Sequence, residues 1–186
     1  MTAPPITYGR TLASSTVTAT VDPALPGTFV WDDASVSPSV ADSGTVYRGV
    51  FHPDVEDYAD VAFEAAVTVG KAPLTVKAND AVVEYGVKAP AFSVSYTGLV
   101  KGDTAAALKG KLGFDCAYTM TTKAGSLVDI IPNGMTADNY EIAFAKGVLT
   151  VNKRQLVMVG VTGAAISYGE TLAASVLAGT LVPNVA

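Results

Sequence analysis

Ile6-Thr7-Tyr8-Gly9-Arg10-Thr11-Leu12-Ala13 returns late in the chain as Ile166-Ser167-Tyr168-Gly169-Glu170-Thr171-Leu172-Ala173. A third Tyr-Gly lies between them, at Tyr85-Gly86, 77 residues after the first and 83 before the last. A β-type residue stands two positions before each pair: Ile6, Val83 and Ile166. A glycine after a strand supplies the positive φ that a tight turn needs. A turn signal recurring at nearly constant spacing is the mark of a repeat architecture.

Other landmarks recur in step. Asp57-Tyr58 aligns with Asn139-Tyr140, and from either tyrosine nine residues lead to a strand-like ending. Those endings are Val67-Thr68-Val69-Gly70-Lys71 and Leu149-Thr150-Val151-Asn152-Lys153. Gly44 lies 14 residues before Tyr58, and Gly125 lies 15 before Tyr140. The reading is two repeats, 1–72 and 73–153, and the truncated start of a third at 154–186. The first lacks the opening strand that the second carries at 73–79. No Gly/Ser tract separates the repeats, which predicts a stiff, elongated arrangement.

Within the repeats the period is that of strands. Phe63, Ala65, Val67 and Val69 alternate with Ala62, Glu64, Ala66 and Thr68, and Leu74, Val76 and Ala78 alternate with Thr75, Lys77 and Asn79. Period two puts each apolar set on one face. Ile142 and Phe144 are even-numbered while Leu149 and Val151 are odd, so the inward face changes near Gly147, where a bulge or glycine turn is expected. One segment, 103–109, predicts a short helix: Asp103 as cap, three alanines, and Gly110 as stop.

The 186 residues allow one or two domains at about 150 residues each. Apolar residues make up 49% and the net charge is −5. That composition is too apolar for a disordered chain and lacks the basic excess that meets nucleic acid. No apolar run approaches the ~18 residues of a membrane span. With one cysteine and one histidine, neither an intrachain disulfide nor a Cys/His zinc site can be built.

Candidate chemistry is sparse. His52, in Phe51-His52-Pro53, reads as a strand-end surface residue, and Cys116 as a buried, inert thiol. Asp54, Glu56, Asp57 and Asp60 offer oxygens to Ca²⁺, but no glycine gives the turn of an EF-hand loop. A solvated acidic turn is the simpler reading. Asp32-Asp33 is weaker still. Phosphate-binding glycine loops are absent. The aromatic residues could form a carbohydrate platform, but their alternating positions assign most of them to the core. A Lys–Asn isopeptide cross-link has both residue types available and no signature for the pairing. No catalytic residue and no cofactor emerges, and the chain is not expected to be an enzyme.

The segment Ala72-Pro73-Leu74-Thr75-Val76-Lys77-Ala78-Asn79-Asp80, then Tyr85-Gly86, Pro90-Ala91-Phe92, Tyr96 to Thr104, and Asn139-Tyr140 through Val151, resembles the MBG domains (YG type) of bacterial cell-surface adhesins. The resemblance covers nearly all of 73–153. It implies a mainly β, β-grasp-like fold with one short helix. The first copy, with Pro26-Gly27-Thr28-Phe29-Val30-Trp31, is more similar to the Ig-like, sandwich-like repeats that alternate with MBG domains. The resemblance further implies an extracellular module on a bacterial surface, acting as a stalk or spacer. The alternative is direct binding of a host surface glycan or glycoprotein. The lack of a leader and the broken third copy are read as an excerpt of a longer protein. Adjacent repeats are the nearest partners, and the 154–168 segment is expected to pair with an existing sheet edge, including that of a neighbouring molecule.

Overall fold

The computed structural model describes residues 3–19, 25–100 and 102–183. It is mainly β. In chain order the strands are β1 (Ile6–Thr7), β2 (Gly27–Trp31), β3 (Val46–Pro53), β4 (Val61–Ala66), β5 (Val69–Gly70), β6 (Ala72–Ala78) and β7 (Ala81–Glu84). Then come β8 (Val94–Thr97), β9 (Lys109–Asp115), β10 (Leu127–Thr136), β11 (Tyr140–Ala145), β12 (Gly147–Asn152), β13 (Leu156–Gly163) and β14 (Leu177–Pro183). Two compact units divide them. One comprises Met1–Ala78, Val94–Asp115 and Ile131–Lys146; the other comprises Asn79–Ser93, Cys116–Ile130 and Gly147–Ala186.

In the first unit β2, β3 and β4 form an antiparallel meander, and β1 lies parallel to β5. The alternation read over 63–69 is realised: Phe63, Ala65, Val67 and Val69 are buried with Ile6, Leu12, Val17 and Trp31. Trp31 adds the largest apolar surface to this core, and its polar tip is satisfied. The indole N–H donates to the Ser15 carbonyl at 2.9 Å, and the buried Ser15 hydroxyl donates to the Pro4 carbonyl at 2.6 Å.

The same unit holds a second sheet with β6 at its centre, parallel to β11 on one side and antiparallel to β8 on the other. A central strand buries every second side chain, and Ala72, Leu74, Val76 and Ala78 are the buried set. Chain continuity carries β5 into β6 after Lys71 alone. One stretch of backbone therefore serves both copies.

Three expectations are corrected here. The segment 103–109 is not a helix but a single 3-10 turn, Ala105–Ala107, capped by Thr104, whose hydroxyl oxygen accepts from the Ala106 N–H at 3.3 Å. Three alanines are too few to nucleate a helix, and Lys109 and Gly110 already pair with Thr136 and Met135. Gly110 is no stop signal. It enters β9 at φ 85°, and a Cβ there would lie 2.3 Å from the Gly134 carbonyl oxygen, beside the register shift of β10. Leu149 and Val151 are buried as expected, but of the even-numbered pair Ile142 is only half-buried and Phe144 is 40% exposed, and the change of face near Gly147 has a different cause. At Lys146 the chain leaves β11, paired with β6, and enters β12, paired with β7 and β10. Neither a bulge nor a left-handed glycine is needed.

In the second unit β12 lies parallel to β7 and antiparallel to the Leu127–Ile130 half of β10. The third correction concerns 154–168. Within the described residues its strand, β13, pairs with β14 of the same tail, not with the edge of an earlier sheet. Every residue of β13 is exposed, and in β14 all but the half-buried Val182 are.

Candidate functional site

The repeated Tyr-Gly turn is built on a pair of parallel strands. Ile6 sits opposite Val69 and Thr7 opposite Gly70, after which the Tyr8 N–H donates to the Gly70 carbonyl at 2.9 Å. The second copy repeats this arrangement: Val83 opposite Val151, Glu84 opposite Asn152, and the Tyr85 N–H donating to the Asn152 carbonyl at 2.9 Å. Gly9 and Gly86 follow with φ of 87° and 79°. The sequence match between the copies thus marks a shared hydrogen-bonding frame.

Around Tyr8 the structure gathers residues distant in sequence. Tyr140, at the start of β11, is buried, and its ring meets that of Tyr8 edge to face, centroids 5.5 Å apart at 85°. Both phenols donate to Asp103 Oδ2, that of Tyr8 at 3.1 Å and that of Tyr140 over a shorter distance. The Tyr140 oxygen also accepts the Val100 N–H at 2.9 Å. The Val100 side chain covers Gly9 so closely that a Cβ on the glycine would lie 2.6 Å from it. Val100, Asp103 and Tyr140 make a cup, and Tyr8-Gly9 is the knob seated in it. Around the rim, the Val40 N–H donates to Asn139 Oδ1 at 3.1 Å and Lys71 Nζ to the Ala137 carbonyl at 3.0 Å.

The electrostatics fix what this cluster does. Burial, then the hydrogen bond to Asp103, pushes the Tyr140 phenol up to about 12. Tyr8 is raised by the same two causes. Both phenols are therefore neutral donors near pH 7, suited to holding a carboxylate rather than to moving protons.

The other sequence landmarks lie elsewhere. Tyr58, aligned with Tyr140, is 47% exposed in the loop between β3 and β4, where its N–H closes a turn onto Val55. The two tyrosines differ because Tyr140 is the first residue of β11, opposite Ala72 of β6, whereas Tyr58 lies in the loop ahead of β4. Tyr85 is 45% exposed, and Tyr168, followed by Gly169 at φ 93°, is fully exposed. Asp54, Glu56, Asp57 and Asp60 are all exposed, and they are not gathered: among the described residues no three His, Cys, Asp or Glu side chains converge as a metal would require. His52 Nδ1 lies 2.9 Å from Asp60 Oδ1 at the exposed end of β3. Cys116, just past β9, is a free thiol and half-buried rather than buried.

Sequence reading missed the roles of Asp103 and Val100. Asp103 resembled a helix cap, and nothing local ties it to tyrosines 95 and 37 residues away.

A β repeat whose Tyr-Gly turn rises from a parallel strand pair defines the class of protein. Residues 74–150 match the family model of the MBG domain, YGX type, and Tyr85-Gly86-Val87 stands within that stretch. MBG domains are repeat modules of bacterial surface proteins, and residues 74–150 of this chain are similar to that domain. Its matched stretch runs from β6 to β12 and so contributes to both compact units. A comparison with curated proteins returns no match. Among the described residues no helix is long and apolar enough to cross a membrane.

Proposed function

We propose that the chain is a non-catalytic spacer of a bacterial surface adhesin, exposed outside the cell, in which each module is fixed to the next so that a binding region is held away from the surface. One observation carries this reading: Tyr8, from the first copy, shares the Asp103 carboxylate with Tyr140, from the second. Two buried or half-buried phenols on one carboxylate, with an edge-to-face ring contact, make a joint that resists bending. Backbone ¹⁵N relaxation tests it. Residues 27–66 and 140–145 tumble together in the intact chain, and Asp103→Ala separates their correlation times. Independent tumbling of the unmodified chain, or turnover of any substrate, would overturn the reading.

A second reading has one observation in its favour. The loop 54–60 presents exposed Tyr58 among four carboxylates, whereas the aligned Tyr140 of the other copy is buried. Such a patch suits a host glycan or glycoprotein. Glycan-array binding that Tyr58→Ala abolishes would favour this reading over the spacer.

A further inference from the structure

The knob seated in the cup occurs a second time without a cup. Tyr85-Gly86 stands on the same frame as Tyr8-Gly9: the same parallel pairing, the same N–H to carbonyl bond, and the same positive φ at glycine. Yet Tyr85 is 45% exposed, and the space over Gly86 is open except for Arg154 Nη1 at 3.9 Å from a hypothetical Cβ. A groove of about 470 Å³ lies there, lined by Tyr85, Gly86, Lys153, Arg154, Leu156 and Pro183. Arg154 Nε is buried beside it and has no partner among the described residues. A buried guanidinium N–H without an acceptor is costly, and a carboxylate is its best complement.

We infer that Tyr85-Gly86 is a docking knob whose occupant is the Val–Asp–Tyr cup of another module of this type. Its aspartate accepts from the Tyr85 phenol as Asp103 accepts from Tyr8. The same carboxylate gives Arg154 Nε its acceptor, and the valine covers Gly86 as Val100 covers Gly9. The sign of charge agrees, since Lys153 and Arg154 face the incoming aspartate. This inference extends the spacer reading and rests on it, because it names what a module joins to. Glycan binding would remove the spacer role, whereas the mass measurement below judges the joint alone.

The test uses the full chain and its own cup as probe. Tyr8→Ala takes the first phenol off Asp103 and out of its contact with Tyr140, so both are left open to the Tyr85 phenol of a second copy. Knob and cup are made of different residues, so the contact is heterologous and the mass grows with concentration. Sedimentation equilibrium is expected to show 19.0 kDa for the unmodified chain at micromolar concentration. Tyr8→Ala is expected to reach at least twice that mass, and Tyr8→Ala/Tyr85→Ala to return to the single mass. A Tyr8→Ala chain that stays monomeric overturns the inference. So does association that survives loss of Tyr85, or that is lost instead with Tyr168→Ala. Gly9→Val ejects the first knob by a different route, its side chain colliding with Val100. If neither variant folds, the unmodified chain is held at about 1 mM, where a neighbour competes with a tethered knob. Association there must depend on Tyr85, and a monomer at that concentration is equally fatal.

Discussion

Tyr8 and Tyr140 lie edge to face, ring centroids 5.5 Å apart, and both hydroxyls donate hydrogen bonds to one oxygen of one carboxylate. The two residues are 132 positions apart, and each opens a strand or turn in a different copy of the repeat. Asp103 is the third member that makes this contact directional, since without it the rings would be only an apolar pair.

Asp103→Ala removes the shared acceptor and leaves a buried phenol with only the Val100 N–H. The expected loss is about 2 kcal/mol, read from urea unfolding. Tyr8→Phe, which keeps the ring and drops one bond, is expected to lose less.

Alkali should act through the same cluster. Tyr140 ionises near 12 in the folded chain against an ordinary value of 10.0. A pKa raised by folding contributes stability that is complete below pH 10 and disappears as pH rises through 12. Phenolate absorbance should therefore keep growing up to about pH 12, with stability falling over that window. Asp103→Ala, which removes one of the two causes, should move the late phase towards lower pH.

Two glycines of the repeated turn separate space from backbone strain. Gly9 and Gly169 both have positive φ, but a Cβ on Gly9 meets Val100 at 2.6 Å, whereas Gly169 has nothing within 4 Å. Gly169→Ala should cost about 1 kcal/mol, the strain of a left-handed alanine. Gly9→Ala should cost about 2 kcal/mol or more, since the knob must also back out of the cup. Thermal unfolding of the two variants compares them.

Leucines test where the core ends. Leu149 is fully buried between β7 and β10, while Leu172, after the last Tyr-Gly, is 80% exposed. Leu149→Ala should cost about 3 kcal/mol, and Leu172→Ala should stay within about 0.5 kcal/mol, both measured by urea unfolding.

Much of the strand content could be read directly. Phe63, Ala65, Val67 and Val69, and then Leu74, Val76 and Ala78, alternate in sequence and are the buried faces in the fold. Alternation is a local property of a pleated chain, so it survives any tertiary arrangement. The segment 103–109 misled because three alanines carry a helix preference too weak to oppose pairing of Lys109 and Gly110 with β10. Tyr58 and Tyr140 misled because equal spacing does not imply equal burial: only the second begins a strand beside β6.

By itself the sequence determined that the chain is a repeat of strands punctuated by Tyr-Gly turns, because side-chain alternation and glycine's φ act over a few residues. Only the tertiary structure decided that Val100, Asp103 and Tyr140 assemble around Tyr8-Gly9, and that the equivalent groove at Tyr85-Gly86 leaves Arg154 Nε without an acceptor among the described residues. Those groups meet only after loops of tens of residues close, and no local pattern states which carboxylate a distant phenol will find.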